Sequence, residues 1–328
     1  MMKQVNRRLF LQASLASALA TPLGGSWEEH DLLAQGKNPA PPPTSQGGPE
    51  QMPVGTIGKV KISRLICGGN LISGFAHSRD LIYVSPLLKH YFTDEKVMET
   101  WALCEQHGIN TMINSPSDLH AMRAYKEYGK RGGRMQFLAQ LVPQKDNLEL
   151  EVRRARDCGA VGAFLIGNYG DEWTRDGSID LIDDLVEMIR SQGMIAGVGG
   201  HELRTPMMVE KHGIAPDFYM KTLHSNNYWS KRQAGQNKEV IDNYSVDNYW
   251  CMDPEETISF MRSLKRPWLA YKVLAAGAIH PREGFRHAFE NGADFAVAGM
   301  FDFQIAENAA ILRQVLSGPL NRSREWQS

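Results

Sequence analysis

The sequence predicts a single-domain α/β protein, a closed (β/α)8 barrel of the TIM-barrel class, on three observations. Short apolar runs alternate eight times with segments of helical period. Glycines punctuate the ends of the helical segments. The chain also lacks both G-x-G-x-x-G and G-x-x-x-x-G-K-[ST], the glycine-rich turns that a doubly wound open sheet, the competing architecture, would normally bring.

Taken from the N-terminus, residues 1–25 carry Lys3, Arg7 and Arg8, a weakly apolar stretch from Leu9 to Ala20, and a small-x-small site at Ala18-Leu19-Ala20. This pattern is similar to a twin-arginine export signal, which implies a periplasmic or otherwise exported protein and the twin-arginine machinery as a transient partner. Residues 26–51 are rich in Pro, Gly and polar side chains with little to bury, and are expected to form an extended linker. The barrel is expected over 52–318, followed by a C-terminal tail over 319–328.

Within the barrel the strand-like runs are 62–69, 110–114, 135–141, 163–167, 194–199, 218–223, 268–274 and 295–300. Near-continuous apolar runs suit parallel strands covered by helices on the outside. The intervening segments keep one apolar stripe, as in Ile182, Leu185, Val186 and Ile189 or Ile305, Ala309, Leu312 and Val315. Gly108, Gly133, Gly159, Gly193, Gly213 and Gly292 fall just past helices, where a left-handed cap is wanted.

Composition narrows the partners. Lys and Arg number 36 against 37 Asp and Glu, a formal net charge of -1, with no long run of one sign. Nothing supplies the basic field that nucleic acid needs. No apolar run after the N-terminal segment approaches the roughly 20 residues of a spanning helix, so no integral membrane segment is expected.

Several stretches, in order and at matching spacing, resemble the aldo-keto reductase superfamily between about Val54 and Leu316. They are Val54–Leu65, with the family's N-terminal hairpin and first strand; Glu-Gln-His-Gly-Ile-Asn at 105–110; Ala-Gly-Val-Gly-Gly-His at 196–201; Ala-Tyr-Lys-Val-Leu-Ala at 270–275; and Gln-Ile-Ala-Glu-Asn at 304–308. The resemblance implies the barrel, with NADP as cofactor and a Tyr proton donor tuned by Asp, Lys and His. It also implies that Tyr271 would stack on the nicotinamide and that Glu307 and Asn308 would lie on the cofactor side. The catalytic tetrad is altered: Asn114 stands at the Asp position, Gln140 at the Lys position and Asn168 at the His position. Gly199 and Gly200 replace the Ser-Asn pair, and the donor Tyr has no clear equivalent beyond Tyr125 or Tyr169.

A barrel of this class builds its active site at the C-terminal ends of its strands. Those positions hold Asn70, Asn114, Gln140, Asn168, His201 with Glu202, His224, Lys272 and Asp302. His201 follows Gly197 and Gly199 on one face of the fifth strand, and His224 ends the sixth. Two neighbouring imidazoles can hold a divalent metal with Glu202 or Asp302, or can serve as acid and base without one. The set is similar to that of metal-dependent hydrolase barrels, without the His-x-His of their first strand. Lys272 shares a face with Ala270 and is expected to point inward as base, nucleophile or oxyanion anchor. Lys221 competes for that role, but alternation sets it opposite His224.

Two long loops, 71–93 and 225–252, are expected to be functional. The second carries Asn226-Asn227-Tyr228-Trp229 and Asp247-Asn248-Tyr249-Trp250. Aromatic faces stack on sugar rings while amides bind hydroxyls, so a carbohydrate is the expected ligand, held by Asn70, Asn114, Asn168, Asn226, Asn227, Tyr228, Trp229 and Trp250. His77, Arg79 and Asp80 on the first loop are placed to close over the same mouth. The four cysteines lack C-x-x-C spacing and are expected to be free thiols, with Cys251 the one to watch for reactivity.

The expectation is an exported barrel enzyme acting on a carbohydrate or polyol by acid–base bond cleavage or isomerisation, metal-assisted or not, through His201, His224 and Lys272. Two alternatives are an NADP-dependent aldo-keto oxidoreductase and a non-catalytic sugar-binding barrel.

Overall fold

The structure, a computed structural model, describes residues 51–75, 77, 81–228, 230–231 and 251–328. The export signal and most of the linker lie outside these residues, as do Arg79, Asp80, Trp229 and Trp250. An antiparallel hairpin, β1 (Val54–Ile57) and β2 (Val60–Ser63), precedes the barrel. Eight parallel strands then close on themselves: β3 (Leu65–Gly68), β4 (Thr111–Asn114), β5 (Gln136–Leu141), β6 (Gly162–Leu165), β7 (Ile195–Gly200), β8 (Phe218–Thr222), β9 (Trp268–Tyr271) and β10 (Phe295–Gly299), with β10 pairing back onto β3. They are the eight expected strands, and the (β/α)8 class is the observed one.

Helices cover the outside: α1 (Val84–Tyr91), α2 (Asp94–Gln106), α3 (Leu119–Lys130), α4 (Leu148–Asp157), α5 (Gly167–Asp176), α6 (Ile179–Ser191), α7 (Arg204–Lys211), α8 (Pro254–Ser263), α9 (Pro281–Glu290) and α10 (Asp302–Ser317). The stripe of Ile182, Leu185, Val186 and Ile189 is buried on α6, and that of Ile305, Ala309, Leu312 and Val315 on α10. No helix among the described residues is long and apolar enough to cross a membrane.

Side-chain alternation divides the apolar residues into two layers. Ile66, Ile113, Leu138, Phe164, Ile195, Phe218, Leu269 and Phe295 fill the barrel, joined by Ile57, Val60 and Ile62 of the hairpin, which plugs its lower end. Their outward neighbours, such as Leu65, Ala139, Leu165, Ala196, Tyr219 and Trp268, pack against the helices. Gly197 leaves space inside for Phe218, because a Cβ there would fall 2.3 Å from that ring.

Three expectations are corrected. The run 62–69 is two strands, because the chain turns at Arg64: the Arg64 amide bonds to the Pro53 carbonyl, and the Ser63 hydroxyl donates to the Leu65 carbonyl. The seventh strand ends at Tyr271 instead of Leu274, since Lys272, Ala275 and Ala276 all take positive φ and leave the extended region. Among the expected glycine caps, Gly108, Gly159, Gly193, Gly213 and Gly292 are left-handed, but near residue 133 it is Gly132 that takes this conformation.

The last residues of the chain seal the lower end. Asp294, fully buried just before β10, pairs with Arg324 at 2.9 Å and accepts the amides of Trp268 and Gln327. Trp326 lies between two guanidinium groups, with Arg64 at 4.1 Å and Arg322 at 3.5 Å from its ring. Removing one member of such a pair strands the other charge away from water. Asp294→Ala should therefore lower stability by about 3–5 kcal/mol in urea unfolding, while leaving the barrel mouth and any ligand affinity there unchanged.

Candidate active site at the barrel mouth

The centre of the mouth is built on Asp171, a residue that reading the sequence did not single out. It lies on α5, whose buried face is Gly167, Gly170, Asp171, Trp173 and Thr174. A carboxylate fully buried on such a stripe needs hydrogen-bond donors, and four groups from the turn after β7 and the start of α7 supply them. Asp171 Oδ1 accepts the amides of His201 and Glu202, each at 3.0 Å, and the Thr205 hydroxyl at 2.8 Å. Oδ2 takes the His201 ring at Nδ1, 2.8 Å away. The signal was in the sequence: Asp171 falls at helical spacing with Gly167, Gly170 and Trp173 in the segment after a barrel strand.

Glycines permit this close meeting. A Cβ on Gly170 would fall 1.9 Å from the Gly199 carbonyl oxygen, so α5 can approach β7 only because residue 170 has no side chain. A Cβ on Gly167 would lie 2.5 Å from the Tyr271 hydroxyl and 2.9 Å from His201 Cε1. Both functional side chains thus press against the same bare backbone. The His201 and Tyr271 rings are 5.4 Å apart, tilted by 55°. Lys272 Nζ lies 6.0 Å from the Tyr271 centroid.

The electrostatics define the protonation states. Burial, then the Lys272 charge, pulls the His201 imidazole down to about 4, against the opposing pull of Asp171; His77 adds a smaller lowering. The ring is neutral at pH 7. Since Nδ1 faces a carboxylate, that nitrogen carries the proton and Nε2 holds a free lone pair. Burial pushes the Tyr271 phenol well above its ordinary range, so it stays protonated. Its hydroxyl is buried without a hydrogen-bond partner among the described residues, as is Asn168 Oδ1. The mouth therefore offers one base, one acid and a cation.

The other expected residues divide. His201, Tyr271 and Lys272 come together. Lys272 does so from a left-handed turn beyond the strand, with φ of 58°, and not from the inward face shared with Ala270, which points to the helices. His224 is buried, with Nδ1 2.9 Å from the Ser225 carbonyl and its ring edge-on to Tyr228. Asn114 is buried and receives the Ser73 hydroxyl and the Ser115 amide, while its Nδ2 has no partner among the described residues. Asn70, Asn226 and Asn227 are exposed.

The metal set is not assembled. Among the described residues no three His, Cys, Asp or Glu side chains are grouped to hold an ion. Asp302 is engaged instead by the Tyr91 hydroxyl at 2.5 Å and Lys96 at 3.0 Å. His201 spends Nδ1 on Asp171, and buried Glu202 lies 3.9 Å from Arg204. Glu307 is exposed and Asn308 buried. The cysteines are free; Cys251 is buried with its thiol toward the Thr222 carbonyl, which removes it as a reactive surface group.

No family model and no curated protein matches the chain. Among solved structures the barrel is similar to a provisionally assigned aldo-keto reductase from Pseudomonas aeruginosa, at 16% identity over 81% of this chain and 97% of that one, with a TM-score of 0.56. A second such structure from the same organism matches at 15% identity over 80% and 94%, with a TM-score of 0.52. At this identity the likeness concerns the fold: an aldo-keto-reductase-like (β/α)8 barrel.

The unfolded chain binds a proton at His201 near pH 6.5, whereas the folded protein refuses it until about 4. Between those values the unfolded state holds more protons, so this group makes stability rise with pH across that window. Ring nitrogen NMR should report neutral His201 with Nδ1 protonated throughout pH 5–8, and His201→Asn should flatten the pH dependence of stability below pH 6.5.

Proposed function

We propose that this barrel is an enzyme performing acid–base chemistry on a carbohydrate or polyol, isomerising it or cleaving a bond beside a carbonyl. The observation that carries the reading is the Asp171–His201 pair with Nε2 free, set against the protonated Tyr271 hydroxyl. Asp171 fixes the ring, and Nε2 removes a proton from a substrate carbon or hydroxyl. Tyr271 donates to the oxygen on which charge builds, and the nearby Lys272 ammonium stabilises that charge. The polyhydroxylated class is supported by polar atoms without a partner among the described residues, on Asn114 at the end of β4 and Asn168 in the first turn of α5, which hydroxyls would satisfy. The N-terminal pattern supports an exported, periplasmic location.

A second reading is an NADP-dependent oxidoreductase. It is favoured by one observation: Asp171, His201, Tyr271 and Lys272 are the four residue types that the family resemblance implies, gathered here from other positions around the mouth. NADPH would supply a hydride. The residues expected to hold it fit poorly, because the Tyr271 ring already packs against His201 and Lys272, and Glu307 points to solvent.

The two readings separate by incubation with a panel of aldoses and ketoses in heavy water. Cofactor-independent deuterium uptake beside the carbonyl, seen by NMR, is the expected result. It should fall about 10²–10⁴-fold in His201→Ala and in Tyr271→Phe. Consumption of NADPH without deuterium uptake would replace the first reading with the second.

A further inference from the structure

We propose that Lys221, on the outer face of β8, is a positioning residue for His201: its ammonium and the Asp171 carboxylate grip that residue from opposite ends of its backbone. The inference rests on His201 being the base of the proposed reaction. Phe218 and Met220 face the barrel interior, so Lys221 points outward, beside Gly200 in the ladder. Yet it does not reach solvent, being 1% exposed. Its Nζ donates to the His201 carbonyl at 2.7 Å and to the Thr222 hydroxyl at 2.8 Å, with the Thr222 carbonyl at 3.3 Å. At the other end of the same residue, Asp171 accepts the His201 amide and the ring. The His201 N–H thus points to an anion and its C=O to a cation, so the peptide dipoles on either side lie along the field between two buried charges.

The fold alone does not require a charge here. The Thr222 hydroxyl already donates to the His201 carbonyl at 2.9 Å, and an apolar side chain would cost less to bury than an ammonium. What the charge adds is a counterweight to the carboxylate. The groups acting on the imidazole are Asp171 from α5, Lys272 beyond β9 and His77 from the loop after β3, with Tyr271 from β9 against its ring. Burial lowers the Lys221 pKa, and Cys251, Asp171, Glu202 and Asp253 oppose it by favouring the charged form. Without Lys221, the Asp171 charge acts on the ring with less opposition, and the ring takes a proton more readily.

The test is titration of the His201 ring by NMR in the full chain carrying Lys221→Met, Lys221→Gln or Thr222→Val. In both Lys221 variants the midpoint should rise by about one unit or more, and the acid limb of any pH–rate profile should move with it. Thr222→Val keeps the ammonium and should leave the midpoint in place. A folded Lys221→Met or Lys221→Gln protein that titrates like the parent would overturn the proposal, as would an equal shift in Thr222→Val. Failure of both Lys221 variants to fold would assign the lysine to stability alone and likewise overturn it. The titration needs no substrate, so a wrong reaction would show in the heavy-water experiment and leave this result intact.

Discussion

A carboxylate taken fully out of water costs several kcal/mol unless donors replace its hydration, and at Asp171 the fold supplies four of them from one short stretch of chain. Two are backbone amides, one is the Thr205 hydroxyl, and one is the His201 ring. Meeting this requirement fixes the end of β7, the start of α7 and the pitch of α5 against the barrel together. The same bonds set the His201 tautomer. Structure and chemistry at the mouth therefore share one constraint, and a change at Asp171 would disturb both.

That constraint explains the glycines around it. Gly167 and Gly170 on α5 and Gly199 on β7 stand where backbones approach to within the space of a single methyl group. Side chains there would push the helix away from the strand and separate the carboxylate from its donors. Tyr271 follows the same geometry, its hydroxyl lying against Gly167 beside the His201 edge. The strained turn that begins at Lys272 brings an ammonium back over the mouth.

The opposite end of the barrel uses charge differently. Asp294 is also fully buried, but its partners are Arg324 and backbone amides, with Arg64 and Arg322 nearby and Trp326 held between them. The cluster ties the end of the chain to the barrel floor. One buried acid holds an imidazole at the barrel mouth; the other is paired with guanidinium groups and backbone amides at the floor.

Periodicity and order of elements were sufficient for the barrel, because burial on both faces of a parallel strand and on one stripe of a helix is written locally along the chain. The polar character of the strand ends, and His201 and Lys272 among them, was legible for the same reason. What the tertiary structure alone decided was who meets whom. Asp171 reaches His201 across 30 positions of sequence, and the Tyr271 hydroxyl is buried against Gly167 of α5. Asp302 is drawn to Tyr91 and Lys96 and away from the histidines expected to share a metal with it. Such pairings depend on distances of a few ångströms between segments far apart in the chain, which residue types and spacings do not encode singly.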